Sequence, residues 1–162
     1  MSTAFSPELS ELETGAAHAF RDWPATHFEI GPSGVYTVWN DNIFLYVGMA
    51  WRHRDDANPT ASGVFGRLRS HASGRRSGDQ FAIYVCDRFV IPELTREQVA
   101  ALARGERLLD GLTKQYIHDH LTYRVVVTED GATARTLESH VRREGLQRSG
   151  RPLVNPERSS TE

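Results

Sequence analysis

The chain has one cysteine, Cys86, and one lysine, Lys114, among 162 residues. A lone cysteine excludes an intrachain disulfide and any zinc site built on cysteine pairs. No apolar run approaches the ~18 residues of a membrane span, so no membrane partner is expected. Met1 to Ser10 has neither a basic start nor an apolar stretch. No signal peptide is therefore expected, and the expected location is cytoplasmic. Net charge is only −2, which by itself does not announce a polyanionic partner. No internal repeat and no long linker divides the chain, and its length suits a single domain.

What is present is arginine, unevenly placed. Six arginines lie between Arg52 and Arg76 and five between Arg142 and Arg158, while Glu8, Glu11 and Glu13 collect near the start. Two basic segments on a mildly acidic protein suit one local phosphate-facing patch. The plainer reading is an arginine-for-lysine bias on solvated helix faces.

Hydrophobic periodicity predicts a mixed order of helices and strands. Pro7 to Phe20 reads as a helix, with Leu9, Leu12 and Ala16 at helical spacing. Phe28 to Trp39 and Ile43 to Val47 read as strands, the first interrupted by Gly31-Pro32-Ser33-Gly34. Trp51 to Ser62 lacks periodicity and reads as a loop, and Gly63 to Ala72 as a helix. Phe81 to Cys86 is an apolar run expected to be a central strand. Thr95 and Gln98 form a capping box opening a helix, because each side chain can satisfy a backbone N–H. A second helix is expected over Glu106 to His120. Tyr123 to Thr128 reads as a strand and Ala134 to Glu144 as a helix capped by Gly145. The expected class is α/β (α+β): a small, mostly antiparallel central sheet of three or four strands flanked by helices.

Candidate chemistry starts with Gly34-Val35-Tyr36 and Tyr46-Val47-Gly48. A three-residue turn at Asn40, Asp41 and Asn42 would set Tyr36 directly across from Tyr46, on one face. A one-residue change in the loop would separate the faces. Taken alone, both are ordinary strand tyrosines. Arg67 and His71 are four apart and share a helix face, where an arginine fork can grip a phosphate. Arg69 competes with Arg67 for that role. Glu138 follows the core position Leu137 and stands at the core's edge, with Arg142 as a salt-bridge partner. Asn155 lies in Pro152-Leu153-Val154-Asn155-Pro156. His118-Asp119-His120 is a weak metal candidate, since residues two apart on a helix point to different sides.

Taken in order, Gly-x-Tyr, Tyr-x-Gly, Arg-x-x-x-His, a helical glutamate and Pro-x-x-Asn-Pro resemble the GIY-YIG nuclease superfamily. Residues 34 to 156 carry the resemblance, with valine where both motifs have isoleucine. Residues 1–27 are then a helical lead-in, 28–156 the nuclease-like domain with a helical insert at 88–122, and 157–162 a tail. The insert and the long 51–62 loop depart from compact members. The resemblance implies catalytic roles for Tyr36, Tyr46, Arg67, His71, Glu138 and Asn155. It implies one Mg2+ or Mn2+ at Glu138, since magnesium accepts few protein oxygens and keeps several waters.

The implied activity is divalent-metal-dependent hydrolysis of DNA phosphodiester bonds, restriction-like or repair-like, with RNA not excluded as substrate. Either Tyr36, with its phenolate favoured by Arg67, or His71 is the general base. Arg52, Arg54, Arg69, Arg75, Arg76, Arg142 and Arg151 are the candidate DNA contacts. The apolar helices of the insert suit a homodimer. The alternative is a catalytically inactive nucleic-acid-binding module of the same fold.

Overall fold

The computed structural model describes residues 5–24, 33–51 and 62–156. The first helix, α1, covers Ser6–Thr14 and is shorter than Pro7 to Phe20. Chain after Gly15 turns back so that β1, His18–Ala19, pairs antiparallel with a later strand, and Phe20–Asp22 forms a 3-10 turn. Strands β2 (Ser33–Asn40) and β3 (Ile43–Trp51) form the expected hairpin. Four helices follow: α2 (Gly63–Ser73), α3 (Gln80–Val85), α4 (Arg96–Ala103) and α5 (Leu109–His120). Strand β4 (Leu121–Thr128) and helix α6 (Gly131–Glu144) complete the order. The sheet is antiparallel throughout, in the order β1-β4-β2-β3. The expected class, a small α+β domain around an antiparallel sheet, is therefore the observed one. Among the described residues no helix is long and apolar enough to cross a membrane.

One prediction is overturned. Phe81 to Cys86 is not a central strand but helix α3, which runs on through a π-helical turn at Cys86–Val90 and a 3-10 turn at Ile91–Glu93. Its buried residues are Phe81, Ala82, Val85 and Cys86, the spacing of one helix face. A six-residue apolar run cannot be assigned by periodicity alone. Asp79 decides the matter locally: its side chain accepts from the Phe81 N–H and caps the helix. The capping box at Thr95 forms as expected, with Thr95 and Gln98 bonding reciprocally.

The sheet alternates its side chains between two cores, as a pleated strand must. On one face Tyr36, Val38, Tyr46 and Tyr123 pack with Phe20 of the 3-10 turn and with Leu68, Phe81, Val85 and Ile117 from α2, α3 and α5. On the other, Val35, Trp39, Phe44, Val47 and Val126 pack with Leu12 of α1 and with Ala134, Leu137 and Val141 of α6. Buried Glu13 ties α1 to the chain end by accepting from the Arg148 and Ser149 N–H groups at 2.8 and 2.7 Å. Burial works against its charge, yet those bonds hold its carboxyl below the usual range.

The hairpin differs from expectation in register. Asn40 pairs with Ile43, which leaves only Asp41 and Asn42 in the turn, and Asp41 adopts a left-handed φ of 50°. An irregularity between Val38 and Trp39 then shifts the pairing. Tyr36 lies across from Gly48 and Tyr46 across from Val38. The tyrosines still share a face, because Tyr46 and Gly48 are two residues apart. They are diagonal neighbours rather than a direct pair, with ring centroids 6.3 Å apart.

Candidate active site

Both motif glycines answer to close approach. A Cβ on Gly34 would sit 2.6 Å from the Val126 carbonyl oxygen on β4. A Cβ on Gly48 would collide with the Tyr36 phenol, so Gly48 vacates the space that Tyr36 Oη fills. Tyr36 is completely buried on the central strand β2.

Helix α2 crosses that face and presents Arg67 and His71 one turn apart. His71 is completely buried, and its Nε2 lies 2.7 Å from Tyr36 Oη. Its Nδ1 lies 2.7 Å from Asp79 Oδ2. A carboxylate oxygen only accepts, so Nδ1 carries the hydrogen and Nε2 is the acceptor for the Tyr36 O–H. Tyr46 meets the His71 ring edge-on at 5.8 Å, and Phe81 packs on it at 4.5 Å. Arg67 is half-buried and interacts with both phenols and with Asp79, whereas Arg69 is exposed. The geometry thus gives Arg67, not Arg69, to the tyrosine pocket.

The electrostatics are those of a buried network. Burial, then the neighbouring Tyr46, pushes the Tyr36 phenol well above its usual value, and Arg67 offsets only part of this. Burial likewise raises Tyr46, with Asp79 and Glu138 adding and Arg67 opposing. The Arg67 charge is opposed by burial, but the two phenols and Asp79 more than restore it. Burial lowers His71 despite the upward pull of Asp79. Asp79 is itself raised by burial, but the His71 hydrogen bond and the His71 and Arg67 charges bring it below the usual carboxylate value. The resting site is a protonated phenol, a neutral imidazole and an ionised carboxylate. Arg67 therefore does not hold Tyr36 as a resting phenolate.

Glu138 and Asn155 stand at the free edge of β3. Asn155 behaves like a strand partner: its Oδ1 accepts from Val47 N at 3.1 Å and its Nδ2 donates to Val47 O at 2.6 Å. Leu153 and Val154 donate to Phe44 O and Leu45 O just before it. Both ends of the Asn155 amide are thus used in holding the strand that carries Tyr46. Glu138 is 13% exposed and accepts from Arg142 Nη1 at 3.4 Å, and Arg142 Nε also donates to Asn155 O. The charge of Glu138 reaches Tyr46 across this edge.

Among the described residues no group of three or more His, Cys, Asp or Glu is placed to hold a metal. One partly exposed carboxylate whose charge reaches the Tyr46 phenol still fits a magnesium ion that keeps most of its own waters. His118 Nε2 donates to the Ala72 carbonyl at 2.8 Å, and His120 packs on Tyr116.

Of the candidate phosphate contacts, Arg69 and Arg75 line a shallow cleft with Gly66, Ser70, Ser73 and Ser77. Arg76 is bonded to Asp110 at 2.7 Å, Arg142 is engaged as above, and Arg151 is exposed. Arg52 and Arg54 lie outside the described residues, as do most of the 51–62 loop and the 157–162 tail. Sequence reasoning missed Asp79. Its signal was local: an aspartate just before the Phe81 run, at the position of an N-cap. Reading that run as a strand concealed it. Comparison with family models, curated proteins and solved structures finds no match to this chain.

Proposed function

We propose that this protein is a divalent-metal-dependent endonuclease that hydrolyses DNA phosphodiester bonds, in the manner of the GIY-YIG nucleases it resembles. The observation that carries the reading is the 2.7 Å bond between Tyr36 Oη and His71 Nε2, with Arg67 beside both motif phenols. Three separate elements, β2, β3 and α2, contribute to that cluster.

Hydrolysis needs a deprotonated water, charge neutralisation on the phosphate and an outlet for the proton. Arg67 and Tyr46 are the more accessible members and would meet the phosphate, the arginine by its planar fork. As the water oxygen bonds to phosphorus, its proton passes to the Tyr36 oxygen, and Tyr36 hands its own proton to His71 Nε2. A phenol raised by burial cannot serve as a standing phenolate, but with an acceptor at hydrogen-bond distance it can relay. The P–O3′ bond breaks, the leaving oxygen takes a proton from solvent, and buried His71 hands its proton back to the Tyr36 oxygen as Tyr36 releases one to the next water in the site. Bound at Glu138, Mg2+ or Mn2+ supplies charge withdrawal from the phosphate and the departing oxygen. Asn155 keeps β3, and with it Tyr46, in place.

One observation favours the second reading, a nucleic-acid-binding module that does not cut: Tyr36 and His71 are both fully buried. Plasmid DNA incubated with Mg2+ and wild-type protein, Tyr36→Phe or Glu138→Ala decides between them. Cleavage by the wild type alone supports the nuclease. Salt-sensitive binding by all three without any cutting supports the module. Mapping the ends separates a restriction-like role from a repair-like one. Exposed Ile91, Val99 and Leu108 on the 88–122 segment suit a homodimer contact, which sedimentation would test.

A further inference from the structure

The geometry points to Asp79 as the positioning carboxylate of a Tyr36–His71–Asp79 relay: it holds His71 in the tautomer whose Nε2 can accept the Tyr36 proton. The side chain is 1% exposed, so it meets no substrate and acts through the imidazole. Each of its oxygens is committed. Oδ2 accepts from His71 Nδ1 at 2.7 Å and from Ser70 Oγ at 3.3 Å, and Oδ1 accepts from Phe81 N at 3.1 Å. The Phe81 bond anchors the carboxylate to the start of α3, and the Ser70 bond anchors it to α2. The ring it holds is therefore fixed relative to β2 by two helices rather than by its own rotamer.

The relay needs this orientation because imidazole has two tautomers. With hydrogen on Nδ1, the Nε2 lone pair faces Tyr36 Oη. With hydrogen on Nε2, the ring would donate to Tyr36 and could take no proton from it. A carboxylate also stabilises the imidazolium formed when the proton arrives. The titratable and charged groups facing His71 among the described residues are Tyr36 on β2, Tyr46 on β3, Arg67 on its own helix and Asp79. Of these only Asp79 is an anion in the resting protein, and Arg67 opposes imidazolium formation.

The catalytic consequence rests on the nuclease reading above; the tautomer does not. Two variants separate the carboxylate from the helix cap. Asp79→Asn and Asp79→Ser both keep a side-chain oxygen that caps α3 well. Neither supplies a carboxylate to His71. Nitrogen-15 NMR, with the His71 signals assigned by loss in His71→Gln, reads the tautomer without substrate. The expected result is Nδ1–H in the wild type and loss of that preference in both variants. Cleavage turnover should fall by about 10²–10⁴-fold, the scale for losing an imidazole-orienting carboxylate, with KM for DNA little changed. The acidic limb of the pH–rate profile should move to lower pH, and Asp79→Glu should recover part of the rate.

A wild-type His71 protonated on Nε2 overturns the assignment whatever the cleavage assay shows. So does an active wild type whose two variants cleave within about threefold of it with an unmoved pH profile, since a positioning carboxylate is worth at least tenfold. A wild type that cuts neither DNA nor RNA but shows Nδ1–H, lost in both variants, overturns the nuclease reading and supports the role of Asp79 in setting the tautomer.

Discussion

Replacing Gly48 by alanine should disrupt the site from a position that carries no chemistry. The new Cβ would occupy the place of the Tyr36 phenol oxygen and the adjoining ring carbon. Tyr36 cannot swing aside freely, because its ring is fully buried among Tyr46, His71 and the surrounding core. Inserting a methyl group into a packed core costs about 1–3 kcal/mol. Displacing the phenol also leaves a buried donor and acceptor unpaired, which adds about 1–3 kcal/mol. The total is roughly 2–6 kcal/mol, which lowers Tm by about 5–20 °C in a domain of this size. Calorimetry or urea melts of Gly48→Ala, Tyr36→Leu and the double variant test the cause. Leucine vacates the space that the alanine methyl needs, so the double variant should be more stable than the sum of the singles by about 1 kcal/mol or more. Strict additivity of the two substitutions would refute the collision between Gly48 and Tyr36.

Three further outcomes follow from other contacts. His71 is held below its ordinary value near 6.5 by burial, so the unfolded chain binds its proton first as pH falls. That stability is present above the unfolded value and is lost as pH drops through the folded one; melts between pH 7 and 5 should show the slope, and His71→Gln should flatten it. Asn155→Ala strips both polar partners from Val47 at the edge of β3 and should cost about 1–3 kcal/mol, with faster hydrogen exchange at the Val47 amide. Arg67→Lys should leave the melting temperature nearly unchanged and lower cleavage by at least tenfold, because a point charge cannot engage both phenols as a planar fork does.

Much of the fold was legible in local chemistry. The capping box at Thr95, the helix expected over Ala134 to Glu144 and the strands around Tyr36 and Tyr123 each depend on residues close in sequence, although α6 begins three residues earlier, at Gly131. Local rules failed where two structures share one pattern. Phe81 to Cys86 is apolar enough for a strand, and only the Asp79 cap together with the helical packing against His71 and Tyr46 makes it α3. The hairpin failed in a different way. Its turn is Asp41-Asn42 rather than Asn40 to Asn42, and that shorter turn together with the irregularity at Val38 and Trp39 exchanged a direct Tyr36–Tyr46 pair for a diagonal one.

By itself the sequence determined the kinds of side chain available: two phenols flanked by glycines, an arginine and a histidine on one helix face, a late glutamate and a late asparagine. It also determined that Arg67 and His71 share a face, because four residues make about one helical turn. Tertiary structure alone decided what those groups touch. Burial raised the Tyr36 phenol and so keeps it protonated rather than a standing phenolate. Asp79, eight residues from His71 and unremarked in the sequence, became its partner because α2 and α3 meet over the same sheet face. A protonation state depends on desolvation and on neighbours brought together by packing, and neither is written in the spacing of residues along the chain.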